Sequence, residues 1–80
     1  MMRYVLKVND SIYVKSINWI IITLPVIKTG RFEDALILEE SYLNEAIGNN
    51  GYEQTVTRKD LILSQYPTID FVKVKVVIDE

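Results

Sequence analysis

Between Ile69 and Ile78 the chain alternates with a period of two. Val72, Val74, Val76 and Ile78 fall on one face, and Phe71, Lys73, Lys75 and Val77 on the other. A period of two built from β-branched residues predicts a half-buried strand, and this strand is expected to be the spine of a sheet. Its valine face is expected to turn inward beneath a helix. Arg3 to Val8 repeats the pattern, with Tyr4, Leu6 and Val8 alternating against Arg3, Val5 and Lys7. Asn9-Asp10-Ser11 is turn chemistry, because short polar side chains hydrogen-bond their own backbone. Ile12 to Lys15 then reads as the returning arm of a hairpin. Ile17 to Leu24 is a third strand, with Trp19, Ile21 and Thr23 facing one way and Ile20, Ile22 and Leu24 the other. Being apolar on both faces, it is expected to be central or to lie beneath another layer. Pro25 ends or edges it, since proline cannot donate to a ladder. Lys28-Thr29-Gly30-Arg31 reads as a polar loop.

The start of the helix is decided by one carboxylate. A helix running from Glu33 would place Glu39 between Ala35, Leu43 and Ala46, and burying an unpaired charge there is costly. A start near Glu40 gives a clean stripe of Tyr42, Leu43, Ala46 and Ile47, with Glu40, Asn44 and Glu45 outside it. Glu39 and Glu40 then sit where the helix dipole favours acids, and Gly48 is a common stop. The pattern therefore predicts a helix over 40–47, preceded by a short buried strand, Ala35-Leu36-Ile37-Leu38. Asn49-Asn50-Gly51 is a turn, and Tyr52 to Thr57 alternates weakly, as an edge strand would. Thr57-Arg58-Lys59-Asp60 has the form of a capping box with Asp in place of Glu. Leu61, Ile62 and Tyr66 would then share one face of a second helix ending before Pro67. Leu61-Ile62-Leu63 also fits a strand, and both readings stand. The expected class is α+β: a mostly antiparallel sheet of four to five strands with one main helix packed on one face.

The 80 residues make a single domain, 1–80, and 49% of them are hydrophobic, enough for a packed core. A chain of this size buries only about 60% of the surface its unfolded form exposes. It contains no cysteine, so no disulfide reinforces it. The most apolar window, Ile17 to Ile27, is broken by Asn18, Thr23 and Pro25 and is shorter than a membrane span. Met1 to Leu6 lacks the apolar run of a signal peptide, so the expected setting is cytoplasmic, with no membrane partner. Charge is segregated. Residues 1–32 hold five bases (Arg3, Lys7, Lys15, Lys28, Arg31) and one acid, Asp10, whereas 33–53 hold six acids and no base. Those acids are Glu33, Asp34, Glu39, Glu40, Glu45 and Glu53.

Absence of His and Cys removes the commonest general base, the commonest metal ligand and the thiolate nucleophile. Gly30, Gly48 and Gly51 are isolated, so there is no phosphate-cradling loop. No enzymatic activity and no cofactor are expected. Glu39, Glu40 and Glu45 have oxygen ligands but no metal-loop spacing. The acidic block has two readings: a solvated surface, or a complement to a basic partner such as the nucleic-acid groove of a nuclease. Lys7, Lys15, Lys73 and Lys75, with Tyr4 and Tyr13 beside them, would form a single-strand platform if they shared a sheet face. Edge lysines also guard against aggregation, and a pI of about 5.0 argues against nucleic acid as the main partner. Any exposed Tyr or Trp is a candidate interface anchor.

Tyr4-Val5-Leu6-Lys7, the return Tyr13-Val14-Lys15, and the run from Ala35 to Glu40 ahead of a Glu-rich helix carry a resemblance. Over about its first 48 residues the chain resembles small orphan accessory proteins of phages and prophages of low-GC Gram-positive bacteria. The resemblance implies a non-catalytic protein-binding module. That class includes anti-CRISPR-like inhibitors of host defence proteins, which act by steric and electrostatic occlusion. The expected partner is a host protein with a basic surface. The alternatives are a nucleic-acid-binding accessory protein and a structural homo-oligomer, such as a homodimer.

Overall fold

Strand β1 (Met2–Asn9) lies at the centre of the sheet, paired along both of its edges. The structure is a computed structural model that describes residues 2–21, 24–49 and 54–75. The expected alternation at Val76 to Ile78, most of the Asn49-Asn50-Gly51 turn, and Glu53 lie outside those residues. Along one edge β1 pairs with β7 (Asp70–Lys75), antiparallel from Met2↔Lys75 to Lys7↔Asp70. Along the other edge it pairs first with β4 (Leu38–Glu39) and then with β2 (Ile12–Ile21). β2 in turn pairs with β3 (Leu24–Gly30), and this completes an antiparallel five-stranded sheet. The strand expected to be the spine is thus an edge strand, and its charged Lys73 and Lys75 suit that place. The hairpin turn forms as its residues dictate, with the Ser11 amide donating to Asn9 Oδ1 at 3.0 Å.

The stretch read as two strands, 12–15 and 17–24, is one strand as far as Ile21. Its pairing with β3 slips between Val14 and Ser16 and again between Trp19 and Ile21. A bulge changes the phase of side-chain alternation. Val14 and Ile17 therefore both turn to the core although they are three positions apart. Across such a phase change a periodicity reads as two elements. β3 includes Pro25, which an edge strand tolerates, and Lys28-Thr29-Gly30 belongs to this strand rather than to a loop.

Helix α1 (Glu40–Asn44) starts where the burial argument placed it. It ends three residues early, because Ala46 and Ile47 enter β5 (Ala46–Asn49), which pairs with β6 (Thr55–Thr57) in a second, two-stranded sheet. Of the expected strand Ala35–Leu38, only Leu38 is in β4. The residues before it run beside β2, with the Leu36 amide donating to Val14 O at 2.9 Å. Helix α2 (Arg58–Gln65) is the main helix, so Leu61-Ile62-Leu63 is helical and not a strand. Its capping box is formed: the Asp60 amide donates to Thr57 Oγ1 at 3.2 Å, and the Thr57 amide donates to Asp60 Oδ2 at 3.0 Å. Thr57→Ala removes one of these acceptors and should lower stability by about 1 kcal/mol, measured by urea unfolding.

The core consists of Leu6, Val14, Leu38, Leu43, Ile62 and Ile69, with Tyr4, Phe71 and Trp19 packed against it. Leu6 stands opposite Phe71, and Val5 opposite Val72. The helices therefore cover the face that carries Phe71, and the valine face is the outer one. This reverses the expected orientation of β7. Alternation tells which residues share a face, but not which face is inside. One phenylalanine under the helices, with the Lys59 ammonium 5.3 Å from its ring centroid, outweighs the valines.

Candidate functional site

The outer face of the sheet carries the molecule's most distinctive surface. After β3 the chain makes a 3₁₀ turn, Phe32–Asp34, closed by the Asp34 amide donating to Arg31 O at 3.0 Å. The turn is docked by Tyr13, which stands opposite Gly30 and meets the Phe32 ring edge-on, with centroids 5.2 Å apart. Gly30 leaves room for the lysine stem: a Cβ there would come 3.0 Å from Lys15 Cδ, so Lys15 lies over the bare backbone. Between the turn and β7 lies a cleft of about 330 Å³ lined by Val5, Phe32, Glu33, Ala35, Ile37, Val74 and Lys75. Val5 lies buried there, whereas Phe32 is 57% and Ile37 51% exposed. The cleft is near the lower limit of ligand-site volume, suited to one or two inserted apolar side chains.

The predicted acids divide into two kinds. Glu39 pairs with Arg3, across the β1–β4 ladder, and Glu45 pairs with Arg58. Both arginine side chains are mostly covered, at 20% and 23% exposure, whereas the acids are more than half exposed, at 52% and 59%, so each pair contributes little to stability. Glu40 accepts a long hydrogen bond from Tyr4 OH at 3.4 Å, on the helix side. Glu33 and Asp34 are exposed on the turn and make no ion pair among the described residues. The acidic block is therefore not one surface, and among the described residues Glu33 lines the cleft, with Asp34 next to it on the turn. No group of three or more acids is placed to hold a metal ion among the described residues.

The four lysines do not form a platform. Lys7 lies on the outer face, 3.7 Å from Asp10, while Lys73 stands opposite Tyr4 on the helix side. Lys15 lies over Gly30, and Lys75 lines the cleft. Tyr4 and Tyr13 are on opposite faces. Trp19 is not an exposed anchor: its indole Nε1 donates to Tyr42 OH at 2.9 Å in a partly buried contact. Sequence reasoning missed Phe32 and Ile37. The available signal was Phe32 itself, a large aromatic between Arg31 and Glu33 in an otherwise polar stretch. It also missed the exposed aliphatics of the β2–β3 arm, Ile20, Ile21, Leu24 and Val26. No helix among the described residues is long and apolar enough to cross a membrane.

No protein-family model, no curated protein and no solved structure matches this chain.

Proposed function

We propose that the chain is a non-catalytic protein-binding module that engages a basic partner through the cleft on the outer face. The observation that carries this reading is the juxtaposition of two exposed large apolar side chains, Phe32 and Ile37, with Glu33 in the lining of a cleft with an apolar floor and Asp34 next to it on the turn, neither acid making an ion pair among the described residues; Lys75 also lines the cleft. An apolar centre with a charged rim is the usual anatomy of a protein interface, and the rim charges steer association and select the partner. The resemblance to phage accessory proteins supports a host defence protein in the bacterial cytoplasm as that partner. A nuclease, whose nucleic-acid groove is basic, has the right chemistry, and occlusion of the groove is the corresponding mechanism.

The test is affinity capture from a bacterial host lysate with the wild-type chain and with an E33K/D34K double variant, followed by affinity measurement on the captured protein. The double variant should bind at least about tenfold more weakly, mainly through a slower on-rate, and the wild-type on-rate should fall as salt rises. Its melting should stay near wild type, because exposed substitutions cost about 0.5 kcal/mol or less. Equal binding by the two chains would place the interface elsewhere and sink the reading.

A further inference from the structure

The outer face holds a second patch, away from the cleft. Ile17 and Ile27 stand opposite each other on the β2–β3 arm and turn to the core, so Asn18, Val26 and Lys28 turn outward. Ile21 stands opposite Leu24, on the same outward side as Val26, and is 58% exposed. Leu24, Val26 and Lys28 are exposed as well, and Lys28 makes no ion pair among the described residues. The arm is thus aliphatic and basic. The cleft is apolar, with Glu33 and Lys75 in its lining and the acid Asp34 on the adjoining turn.

We propose that a second copy of this chain occupies the cleft, arm to cleft, in a two-fold dimer. Two complementary patches at separate places on one face are self-complementary under a two-fold axis lying between two such faces. One operation lays each arm on the other copy's cleft. It covers Ile21, Leu24, Phe32 and Ile37 together and brings Lys28 of one copy towards Glu33 and Asp34 of the other. The helices stay outside. Two sheets then meet face to face, which gives the uncovered apolar face the second layer it lacks. The inference rests on reading the cleft as a protein-binding surface and names its occupant in the isolated chain.

Sedimentation equilibrium on the full chain tests it, with the variants K28E, E33K and the double K28E/E33K. The wild type should dimerise at or below about 100 µM, and each single variant should associate about tenfold more weakly, since a two-fold contact contains each charge pair twice. The double variant restores opposite charges across the interface and should recover most of the wild-type affinity. Thermal melting of each variant checks that the monomer fold is intact. A wild type that stays monomeric, single variants that associate like the wild type, or a double variant no better than the singles would each overturn the proposal. If dimerisation fails this test while E33K/D34K still weakens a captured host partner, the dimer falls and the protein-binding reading stands. If the dimer behaves as expected and no host protein depends on Glu33 and Asp34, the dimer stands alone.

Discussion

Leu6→Asp should leave no cooperative unfolding transition at 25 °C, while Val74→Asp should still melt cooperatively. Leu6 is fully buried and sits among the core side chains beneath the helices. Its loss alone would cost about 2–5 kcal/mol, and an unpaired carboxylate in its place adds several more. A domain of this size has a net stability on the order of 4–12 kcal/mol, so the variant is expected to be unfolded. Val74 is half-buried beside the outer cleft, where an aspartate keeps contact with water. Its replacement should cost about 1 kcal/mol, the central value for point substitutions. Circular dichroism through a urea titration separates the two. Comparable destabilisation would show that the valine face is interior after all.

Arg58→Ala should be the most damaging of the charge-removing substitutions, at about 2–3 kcal/mol by chemical denaturation. The guanidinium lies over the Tyr42 ring, 4.3 Å from its centroid, and Nη1 donates to Tyr42 O at 3.2 Å. The same group pairs with Glu45, and Tyr42 OH in turn accepts from the Trp19 indole. One side chain therefore ties α2 to α1 and, through Tyr42, to the arm. The ion pair is the smaller part, below about 1 kcal/mol, because the Glu45 side chain is 59% exposed. Most of the loss comes from the stacked and hydrogen-bonded guanidinium, so Arg58→Lys should recover only part of it. Glu33→Lys, by contrast, should lie within about 0.5 kcal/mol of wild type. An Arg58→Ala chain as stable as Glu33→Lys would mean that the network contributes nothing measurable.

Much of the local structure was legible from neighbouring residues alone. The start of α1 at Glu40 followed from one carboxylate that no helix starting at Glu33 could bury. The cap of α2 followed from Thr57 and Asp60, and the first turn from Asn9. Each of these rests on residues within two helical turns of one another, which a sequence displays directly. The bulged β2 was not legible in the same way. A residue inserted into a ladder is defined by the partner strand, and across the bulge at Lys15 the alternation of β2 changes phase. Pro25 leaves two outcomes open in the sequence, ending a strand or lying in an edge strand, and the pairing of β3 at the sheet edge decides for the second.

The candidate site shows the same division. Six acids adjacent in sequence looked like one surface, but Arg3 and Arg58, 36 and 13 positions away from Glu39 and Glu45, claim two of them. Among the described residues Glu33 is left lining the cleft with Asp34 next to it, and the cleft itself joins residues from β1, β7 and the turn after β3. By itself the sequence determined the α+β class, the absence of His and Cys chemistry, the caps and turns, and the pairs of residues that share a strand face. Tertiary structure alone decided which face of the sheet is covered, because alternation has a period but no sign. The sign is set where Leu6 meets Phe71 beneath the helices. That choice leaves Val5 and Val74 on the outer side, and it is there that the cleft forms.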